Sequence, residues 1–426
     1  MTLADARLDE GFAREQDNSD PLRHYRNRFH LPFRPDGRPV IYFCGHSLGL
    51  QPKTVGDVIR EELSAWADKA IDGYFDGPTA WYHYQQLLRP MMARIVGAMP
   101  GEVILMNGLT INLHLMLATF YQPRSGRDKI LMESPTFPSD LYAVKSHLRQ
   151  RGLQSESTLL RIQPASGEHT ISVDHFESFL QQHGDKIALV LLSGLNFLTG
   201  QFFDIPRIVA AGRRHGCIVG FDLAHAAGNV PLRLHDWDVD FAVWCNYKYL
   251  SGGPGAVAGA FVHEKHGSNL ALPRLAGWWG NDPNARFRMH LEEDFAPYPG
   301  ADGWQVSCPP ILGLAPLRAS LALFDEIGMP ALRAKSEALT GYLHHLLNRL
   351  PAGRLQVITP RQPGERGCQL SMVVEAGAQE LFHALENDGI VGDFRPPNVI
   401  RVAPIPLYNT FHEVWQFVDF LRRHLS

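Results

Sequence analysis

The sequence predicts an α/β protein whose large domain contains a mainly parallel, doubly wound sheet and is followed by a smaller α+β C-terminal domain. Residues 187–192 and 217–221 are short apolar runs of the kind that form strands buried on both faces, as in parallel sheets. Residues 205–215 lie between them with a helical pattern, and this alternation of strand and helix indicates double winding. A chain of 426 residues has room for both domains.

Three segments are expected along the chain. Residues 1–73 are predicted to form an N-terminal arm with a turn, a short strand and an amphipathic helix. Residues 74–310 are predicted to form the large domain. From residue 311, two long helical stretches lead into short strands and a last amphipathic helix, so residues 311–426 are predicted to be the small C-terminal domain.

Composition and charge favour a globular protein that acts on a small molecule. Hydrophobic residues make up 45% of the chain, and the net charge of −4 gives no electrostatic reason to expect a nucleic acid or an anionic membrane as partner. The five cysteines are scattered without a Cys-x-x-Cys pair, which argues against a disulfide framework. Residues 1–20 are polar and acidic, and no apolar segment approaches the ~18 residues of a membrane span. We therefore expect a cytoplasmic protein without an export signal.

A carboxylate and a lysine follow two strand-like runs. Asp222 comes directly after residues 217–221, and Lys248 follows the apolar run at residues 241–245. Open α/β sheets bind ligands at the carboxyl ends of their strands, so both side chains are expected at one edge of the sheet. Pyridoxal phosphate needs this pair, because its aldehyde condenses with a lysine amine while a carboxylate keeps its pyridine nitrogen protonated. For an isolated pair, a helix-capping aspartate and a solvated lysine are the alternative.

The residues around this pair resemble those of kynureninases, which are fold-type-I pyridoxal-phosphate enzymes of the class V aminotransferase superfamily. The resemblance rests on Gly-Phe-Asp-Leu-Ala-His-Ala at residues 220–226 and Asn-Tyr-Lys-Tyr-Leu at residues 246–250. It continues through residues 401–409 and back to the loop at residues 44–50, so it covers nearly the whole chain. It implies a fold-type-I architecture, pyridoxal phosphate as cofactor, and a homodimer in which each subunit completes the other's site.

Five residues are predicted to contact the cofactor from the ends of other elements. A helix that begins at Leu109 would direct its free N–H groups, with the Thr110 hydroxyl, at a phosphate, although an ordinary Thr cap gives the same pattern. The resemblance implies that Phe137 lies over the pyridine ring and that Asp140 and Ser193 belong to cofactor-contacting segments. From the residues alone, a core position for Phe137 and a strand-end turn at Ser193 stay open.

Three further residues are predicted near the cofactor. His225 stands three residues after Asp222 on the same face of a helical turn, but no third residue is spaced to complete a metal site. We therefore expect no metal ion and predict that His225 contacts the cofactor or the substrate. By resemblance, Trp278 and Cys308 contribute to the phosphate end across the subunit interface. Cys308 stands where the family has Asn or Thr, and a thiol is a weaker hydrogen-bond donor.

The predicted substrate-binding residues are Arg401, His46 and Ser47. Arg401 follows a short apolar run and precedes two prolines, and its planar guanidinium suits bidentate binding of a substrate α-carboxylate. An isolated Arg would more often be a surface charge, and the resemblance supports the binding role. The resemblance also places the loop with His46 and Ser47 near the substrate, with His46 where Asn is frequent in the family. A plain turn is the alternative for this loop.

The reaction implied by the resemblance is hydrolysis of L-kynurenine or its 3-hydroxy form to anthranilate or 3-hydroxyanthranilate and L-alanine, in tryptophan degradation and the NAD-related kynurenine pathway. Lys248 is expected to move the substrate's α-proton, and Asp222 to hold the ring nitrogen protonated. Tyr247, next to the lysine, is the candidate phosphate ligand and general acid.

Two alternatives differ from this function. Another class V enzyme, an aminotransferase or a cysteine desulfurase, would share Asp222 and Lys248. A desulfurase needs an exposed nucleophilic cysteine on a mobile loop, and Cys308 before two prolines is a poor candidate. A non-catalytic regulator that binds a metabolite would be expected to lack Lys248 or Arg401, and both are present.

Overall fold

The structure is a computed structural model of the chain and describes residues 9–425. Residues 1–8 lie outside the described range. They belong to the predicted arm and to the polar stretch at residues 1–20 on which the expectation of no export signal rests. From residue 9 onward, the arm contributes two α-helices and one two-residue strand: α1 Glu10–Ser19, β1 Ile41–Tyr42 and α2 Val55–Lys69. No helix within the described range is both long enough and apolar enough to cross a bilayer.

A seven-stranded sheet forms the centre of the large segment. Its strands are β2 Val103–Leu105, β3 Lys129–Glu133, β4 Leu159–Ile162, β5 Ile187–Ser193, β6 Ile218–Asp222, β7 Phe241–Trp244 and β8 Gly259–Val262. They lie in the order β2-β8-β7-β6-β5-β3-β4. The neighbouring pairs from β4 to β7 are parallel, whereas β8 runs antiparallel to both β7 and β2. The predicted mainly parallel sheet is therefore confirmed, with an antiparallel edge.

Helices cover both faces of this sheet. They are α3 Tyr84–Val96, α4 Leu109–Phe120, α5 Pro138–Gln150, α6 Ser155–Thr158, α7 Val173–His183, α8 Ile205–Arg214 and α9 Glu264–Gly267. Successive side chains of β5 alternate between two hydrophobic cores. Val190 and Leu192 pack in the core shared with α3, α7 and α8, and Leu189 and Leu191 pack in the core shared with α4 and α5. The strand needs apolar side chains on both faces, which explains its continuous apolar run.

Two long helices, α10 Ile311–Ile327 and α11 Met329–Leu347, lead into the C-terminal segment. That segment contains β9 Leu355–Val357, β10 Leu370–Val374, α12 Ala378–Asn387, β11 Ile390–Val391, β12 Asp393–Arg395, β13 Val399–Val402 and α13 Phe411–Leu425. Four of its strands form an antiparallel sheet in the order β12-β13-β10-β9, with a hydrophobic core of its own. The predicted smaller α+β unit is therefore confirmed.

The N-terminal arm packs against the C-terminal segment. β1 pairs in parallel with β11, and the carboxylate of Asp17 in α1 accepts hydrogen bonds from the N–H groups of Phe411 and His412 at 2.7 and 3.0 Å. These N–H groups begin α13, where the helix dipole favours a negative charge. The loop after β1 then reaches the central sheet, because the N–H of Gly49 donates to the backbone oxygen of Tyr247 at 2.9 Å.

Three neighbouring strands of the central sheet end in residues that can serve a ligand. β3 ends at Glu133, β5 at Ser193 and β6 at Asp222, and Ser193 and Asp222 are register partners. β4 lies on one side of β3 and β5 on the other, so the winding of the chain reverses there. Open α/β sheets bind ligands outside the carboxyl ends of their strands at such a reversal.

Candidate active site

A cavity of about 130 Å³ lies outside the carboxyl ends of β5 and β6. It brings together nine residues that the sequence predicted near the cofactor: Leu109, Thr110, Phe137, Asp140, Ser193, Asp222, His225, Tyr247 and Lys248. Four residues that were not predicted also line it: Ser139, Leu195, Phe197 and Ala224. The cavity is therefore built from the start of α4 and from the segments that follow β3, β5, β6 and β7.

Lys248 is buried in this cavity and contacts His225. Its Nζ lies 2.9 Å from His225 Nε2 and 5.7 Å from the centre of the Phe137 ring. Burial lowers the pKa of His225 well below its usual value, and the positive charges of Lys248 and Arg401 lower it further. The ring is therefore neutral, and it accepts a hydrogen bond from Lys248 Nζ at Nε2 and carries its proton on Nδ1. That Nδ1 has no hydrogen-bond partner within residues 9–425.

Three carboxyl groups lie together beside the lysine. Asp222 Oδ1 accepts the N–H of Ala224 at 2.7 Å, as in the capping alternative, but the side chain also contacts Asp140. Burial and the Asp222 charge raise the pKa of Asp140 well above its usual value, so Asp140 holds a proton. Asp140 Oδ1 has no hydrogen-bond partner among the described residues. This pair can therefore stabilise a positively charged N–H group.

Glu133 is the third carboxyl group, and sequence reasoning missed it. Its Oε1 accepts from Ser193 Oγ at 2.6 Å and from the Ser193 N–H at 3.2 Å. Burial raises the pKa of Glu133 to about 7, with the hydrogen bonds from Ser193 acting in the opposite direction. The signal that could have found it is the one that singled out Asp222, a carboxylate at the end of a buried strand. The Ser-Pro that follows at residues 134–135 favours a loop beginning at Glu133, which obscures this signal.

The N-terminus of α4 lines the same cavity. Its N-cap residue is Gly108, and no side chain of the described residues caps the first turn. The first N–H groups of the helix are therefore available to an anion. The hydroxyl oxygens of Thr110 and Ser139 lie 3.0 Å apart beside them. This end of the cavity suits a phosphate group.

Arg401 lies behind the wall of the cavity. Its side chain is 1% exposed, its Nε and Nη2 lie 2.9 and 2.7 Å from Asp393 Oδ1, and its Nη1 donates to the backbone oxygen of Phe197. Phe197 is a lining residue, whereas Arg401 is not among the described residues that line the cavity. Three of the five N–H groups of the guanidinium are used in these contacts, so two remain for a further acceptor.

His46 and Ser47 lie close to this arginine. His46 is completely buried, its ring centre is 6.4 Å from that of His225, and neither of its ring nitrogens has a hydrogen-bond partner within residues 9–425. Burial, with the nearby charge of Arg401, lowers the pKa of His46 well below its usual value, so the ring is neutral. Ser47 Oγ donates to Asp393 at 3.4 Å. A buried imidazole without a partner is costly, which favours a ligand or water at His46.

Trp278 and Cys308 do not line this cavity within the described part of the chain. The Trp278 ring packs at a right angle to that of Trp279, with ring centres 4.9 Å apart. Cys308 Sγ lies 3.5 Å from the hydroxyl of Tyr74. Because the resemblance to kynureninases places both residues at the site of a second subunit, their roles stay predictions.

Two groups of side chains lie close enough to share a metal ion: Cys44, His46 and Asp393, and Glu102, His235 and His263. In the first group, Asp393 is already paired with Arg395 and Arg401, whose charges oppose a cation. In the second, Glu102 Oε1 accepts the N–H of Glu264 at 2.8 Å and lies 2.9 Å from His235 Nδ1. Ion pairs therefore engage Asp393 and hydrogen bonds engage Glu102, and the expectation of no metal ion stays a prediction.

Pyridoxal phosphate fits the residues of this cavity. Lys248 offers the amine that its aldehyde requires, and the unpartnered Asp140 oxygen next to Asp222 is suited to a ring N–H. The uncapped N-terminus of α4, with the hydroxyl of Thr110, offers donors to its phosphate. Phe137 supplies an aromatic wall.

In sequence, the chain is similar to kynureninases. The family model described as "Kynureninase C-terminal domain" matches residues 332–421. The chain is 51% identical over 415 residues to a kynureninase of Myxococcus xanthus, with 97% of each chain covered, and equally similar to one of Xanthomonas campestris. It is 48% identical over 410 residues to a kynureninase of Koribacter versatilis, with 96% of each covered.

Solved structures with the same fold are more distant in sequence. A mutant of the lyase C-DES with glycine covalently linked to its pyridoxal-phosphate cofactor superposes with a TM-score of 0.77 at 21% identity, covering 93% of this chain and 98% of that one. The cysteine desulfurase CsdA of Escherichia coli superposes with a TM-score of 0.74 at 17% identity, covering 95% and 98%. These similarities establish the fold-type-I architecture of pyridoxal-phosphate enzymes.

The buried Glu133 predicts a pH dependence of stability. Its pKa in the folded state, about 7, exceeds its usual 4.5. The contribution of the protonated carboxyl group to the free energy of unfolding is therefore complete below pH 4.5 and is lost as the pH rises through 7. Glu133→Gln cannot ionise and avoids this loss. In urea unfolding of the cofactor-free proteins, the variant should therefore gain on the order of 3 kcal/mol relative to wild type between pH 4.5 and pH 8.

The matched control is Glu375→Gln, which changes an exposed glutamate and should show no such gain. If the difference in free energy of unfolding between Glu133→Gln and wild type stays constant with pH, Glu133 ionises normally.

Proposed function

Because the chain belongs to the kynureninase family and its cofactor is pyridoxal phosphate, we propose that it hydrolyses L-kynurenine or 3-hydroxy-L-kynurenine to anthranilate or 3-hydroxyanthranilate and L-alanine. The observation that carries the proposal is the buried Lys248 at the carboxyl ends of parallel strands, beside Asp222 and within hydrogen-bond distance of His225. The reaction belongs to tryptophan degradation. A product assay distinguishes the two kynurenines as substrates.

When bound, pyridoxal phosphate supplies an electron sink that stabilises negative charge on the substrate. Lys248 would hold the cofactor through its Nζ, and the same amine is the base that would remove the proton from the substrate's α-carbon. Asp222 and the protonated Asp140 would hold the cofactor's ring nitrogen in its protonated form. Neutral His225 would orient Lys248 for this transfer, because its Nε2 accepts a hydrogen bond from the lysine Nζ.

Tyr247 carries its proton at neutral pH. Burial, with the neighbouring Cys245, raises the pKa of its hydroxyl, so the phenol stays protonated. The residue lines the cavity next to Lys248, and its backbone oxygen is fixed by the N–H of Gly49. We assign Tyr247 as a phosphate ligand and as the acid that protonates the product side of the broken carbon–carbon bond.

Arg401 is the residue that we assign to the substrate carboxylate. The two N–H groups left over from Asp393 and Phe197 can make a bidentate contact with a carboxylate. Asp393 fixes the guanidinium plane, so the arginine is oriented before substrate binds. His46 and Ser47, in the loop at residues 44–50, would complete the substrate end from the N-terminal arm.

A cysteine desulfurase activity has less support, although desulfurases share the fold. Such an enzyme needs a reactive cysteine that reaches the substrate. Cys308 is half-buried next to Tyr74 and does not line the cavity of its own chain in the described structure. Cys245 lies at the end of β7, where burial raises the pKa of its thiol and makes it a poor nucleophile.

A homodimer would cover a large apolar surface. A groove of about 550 Å³ is lined by Glu62, Trp66, Ala70, Ile71, Tyr74, Trp81 and residues 309–313. In it, Trp66 and Ile71 are 59% and 69% exposed. An aromatic cluster continues from Phe75 through Tyr82 to Trp279, which packs on Trp278. Exposed apolar patches of this kind mark protein interfaces. We propose that a second copy of the chain binds there.

The cytoplasmic location and the boundaries of the three segments stay predictions.

A product assay tests the proposed reaction. We expect purified, cofactor-loaded protein to convert L-kynurenine or 3-hydroxykynurenine to equal amounts of the anthranilate-type product and alanine without added keto acid. The kcat/KM ratio for the two substrates decides which one is preferred. Kynurenic acid with stoichiometric pyridoxamine phosphate would indicate transamination instead, and sulfide released from cysteine would indicate a desulfurase.

Substitution of Arg401 tests the carboxylate contact. Arg401→Gln should raise KM at least ~30-fold while the visible spectrum of the bound cofactor stays close to wild type, because losing one side of a buried charge pair costs ~2–5 kcal/mol. The control is Arg395→Gln, since Arg395 is also paired with Asp393 but is 39% exposed. We expect a much smaller effect there. Equal KM values in both variants would assign the substrate carboxylate to another residue.

A further inference from the structure

A second cavity, of about 350 Å³, lies between α11 and the loop that precedes β10. Its charged and polar lining consists of Arg361, Gln362 and Arg366 from the loop, Glu337, His344 and His345 from one face of α11, and Asn348 just after that helix. It shares no lining residue with the cavity around Lys248. Its volume is in the range of cavities that bind small molecules.

Arg366 is buried in this cavity without a carboxylate. Its side chain is 2% exposed, its Nη1 donates to the backbone oxygens of Pro360 and Arg361, and its Nη2 donates to Thr340 Oγ1 at 3.3 Å. Its Nε has no hydrogen-bond partner, and no ion pair to it is formed by the described residues. Burial and the neighbouring Arg333 lower the pKa of Arg366 to about 10. Buried charges are ordinarily paired, and the described chain does not neutralise this one.

The surrounding groups add positive charge. Arg361 lines the same cavity and also forms no ion pair with the described residues. Glu337 is the only acidic residue of the lining, and its carboxylate is already paired with Arg333 at 2.8 Å. Burial and then the charges of Arg366 and Arg361 lower the pKa of His344, so its ring is neutral. The cavity therefore has a net positive potential.

The two histidines add hydrogen-bonding groups. The amide nitrogen of Asn348 lies 2.9 Å from His344 Nδ1, and because an amide nitrogen only donates, the neutral His344 ring carries its proton on Nε2. Nε2 of His345 is buried without a partner in the described structure. With the Arg361 guanidinium and the positive charge of Arg366, this set suits an anion with several oxygens and more than one charge.

We propose that this cavity binds phosphate, either free or as the phosphate group of a small metabolite, with Arg361 and Arg366 neutralising its charge. The inference holds whether or not the proposed reaction is correct, because the two cavities are separate.

The position of the loop suggests what binding would do. The N–H of Phe202, in the large segment, donates to the backbone oxygen of Glu365 at 2.8 Å, and Gln201 forms a β-bridge with Arg366. Gln369 donates to the backbone oxygen of Phe197 at 2.9 Å, and Phe197 lines the cavity near Lys248. Phosphate held by this loop would therefore stabilise the packing of the C-terminal segment against the large one.

The test uses the full-length, cofactor-loaded protein in phosphate-free buffer, so that the phosphate position at α4 is already occupied. Calorimetric titration and thermal unfolding are recorded with inorganic phosphate and with glycerol phosphate, and sodium chloride of equal ionic strength is the reference. We expect one saturable site per chain and a rise in Tm with phosphate but not with chloride. Tighter binding of glycerol phosphate supports a metabolite, and equal binding supports free phosphate.

Variants then localise the site. Arg361→Gln removes an exposed side chain and should weaken phosphate binding by about tenfold or more. Arg354→Gln, at an exposed arginine of the same segment outside the cavity, should bind as wild type does. His345→Gln serves as a second localising variant if Arg361→Gln does not fold. Absence of saturable binding in wild type, or unchanged affinity in the localising variant, would overturn the proposal.

Discussion

Ionisable side chains buried together at the carboxyl edge of a parallel sheet are the constraint on which the rest of the structure depends. Lys248, Asp222, Asp140 and Glu133 are each less than a tenth exposed, and burying such groups costs free energy unless their charges and hydrogen bonds are matched. The chain meets part of this cost, since His225 accepts from Lys248 and two of the carboxyl groups have raised pKa values. A cofactor with an aldehyde and a cationic ring nitrogen would offset the remainder.

The N-terminal arm and the C-terminal segment both contact this buried edge of the sheet. A Cβ on Gly49 would come within 2.4 Å of the backbone oxygen of Lys248, so the loop from the N-terminal arm can pass there only with a glycine. On the other side, the backbone oxygen of Phe197 accepts from both Arg401 and Gln369 of the C-terminal segment. Both smaller segments therefore contact the edge that carries Lys248 through backbone atoms.

Sequence patterns predicted the elements whose burial is uniform, and they missed those set by tertiary packing. The continuous apolar runs of β5 and β6 identify buried strands because both of their faces need apolar side chains. β8 and β12 were not predicted, since they are only three or four residues long and their pairing depends on distant strands. The same limit applies to the site. Asp222 and Lys248 stand out from strand endings, whereas the approach of Glu133 to Ser193 exists only once β3 and β5 are neighbours.

The central claim is that Lys248 holds the cofactor, and chemical trapping tests it most directly. The cofactor-loaded protein is reduced with borohydride, digested, and its peptides are mapped by mass spectrometry. The account predicts a pyridoxyl group on Lys248 and no covalently held cofactor in Lys248→Ala, with that variant still folded. A pyridoxyl group on a different lysine of the wild-type protein, or covalent cofactor retained by Lys248→Ala, would contradict it.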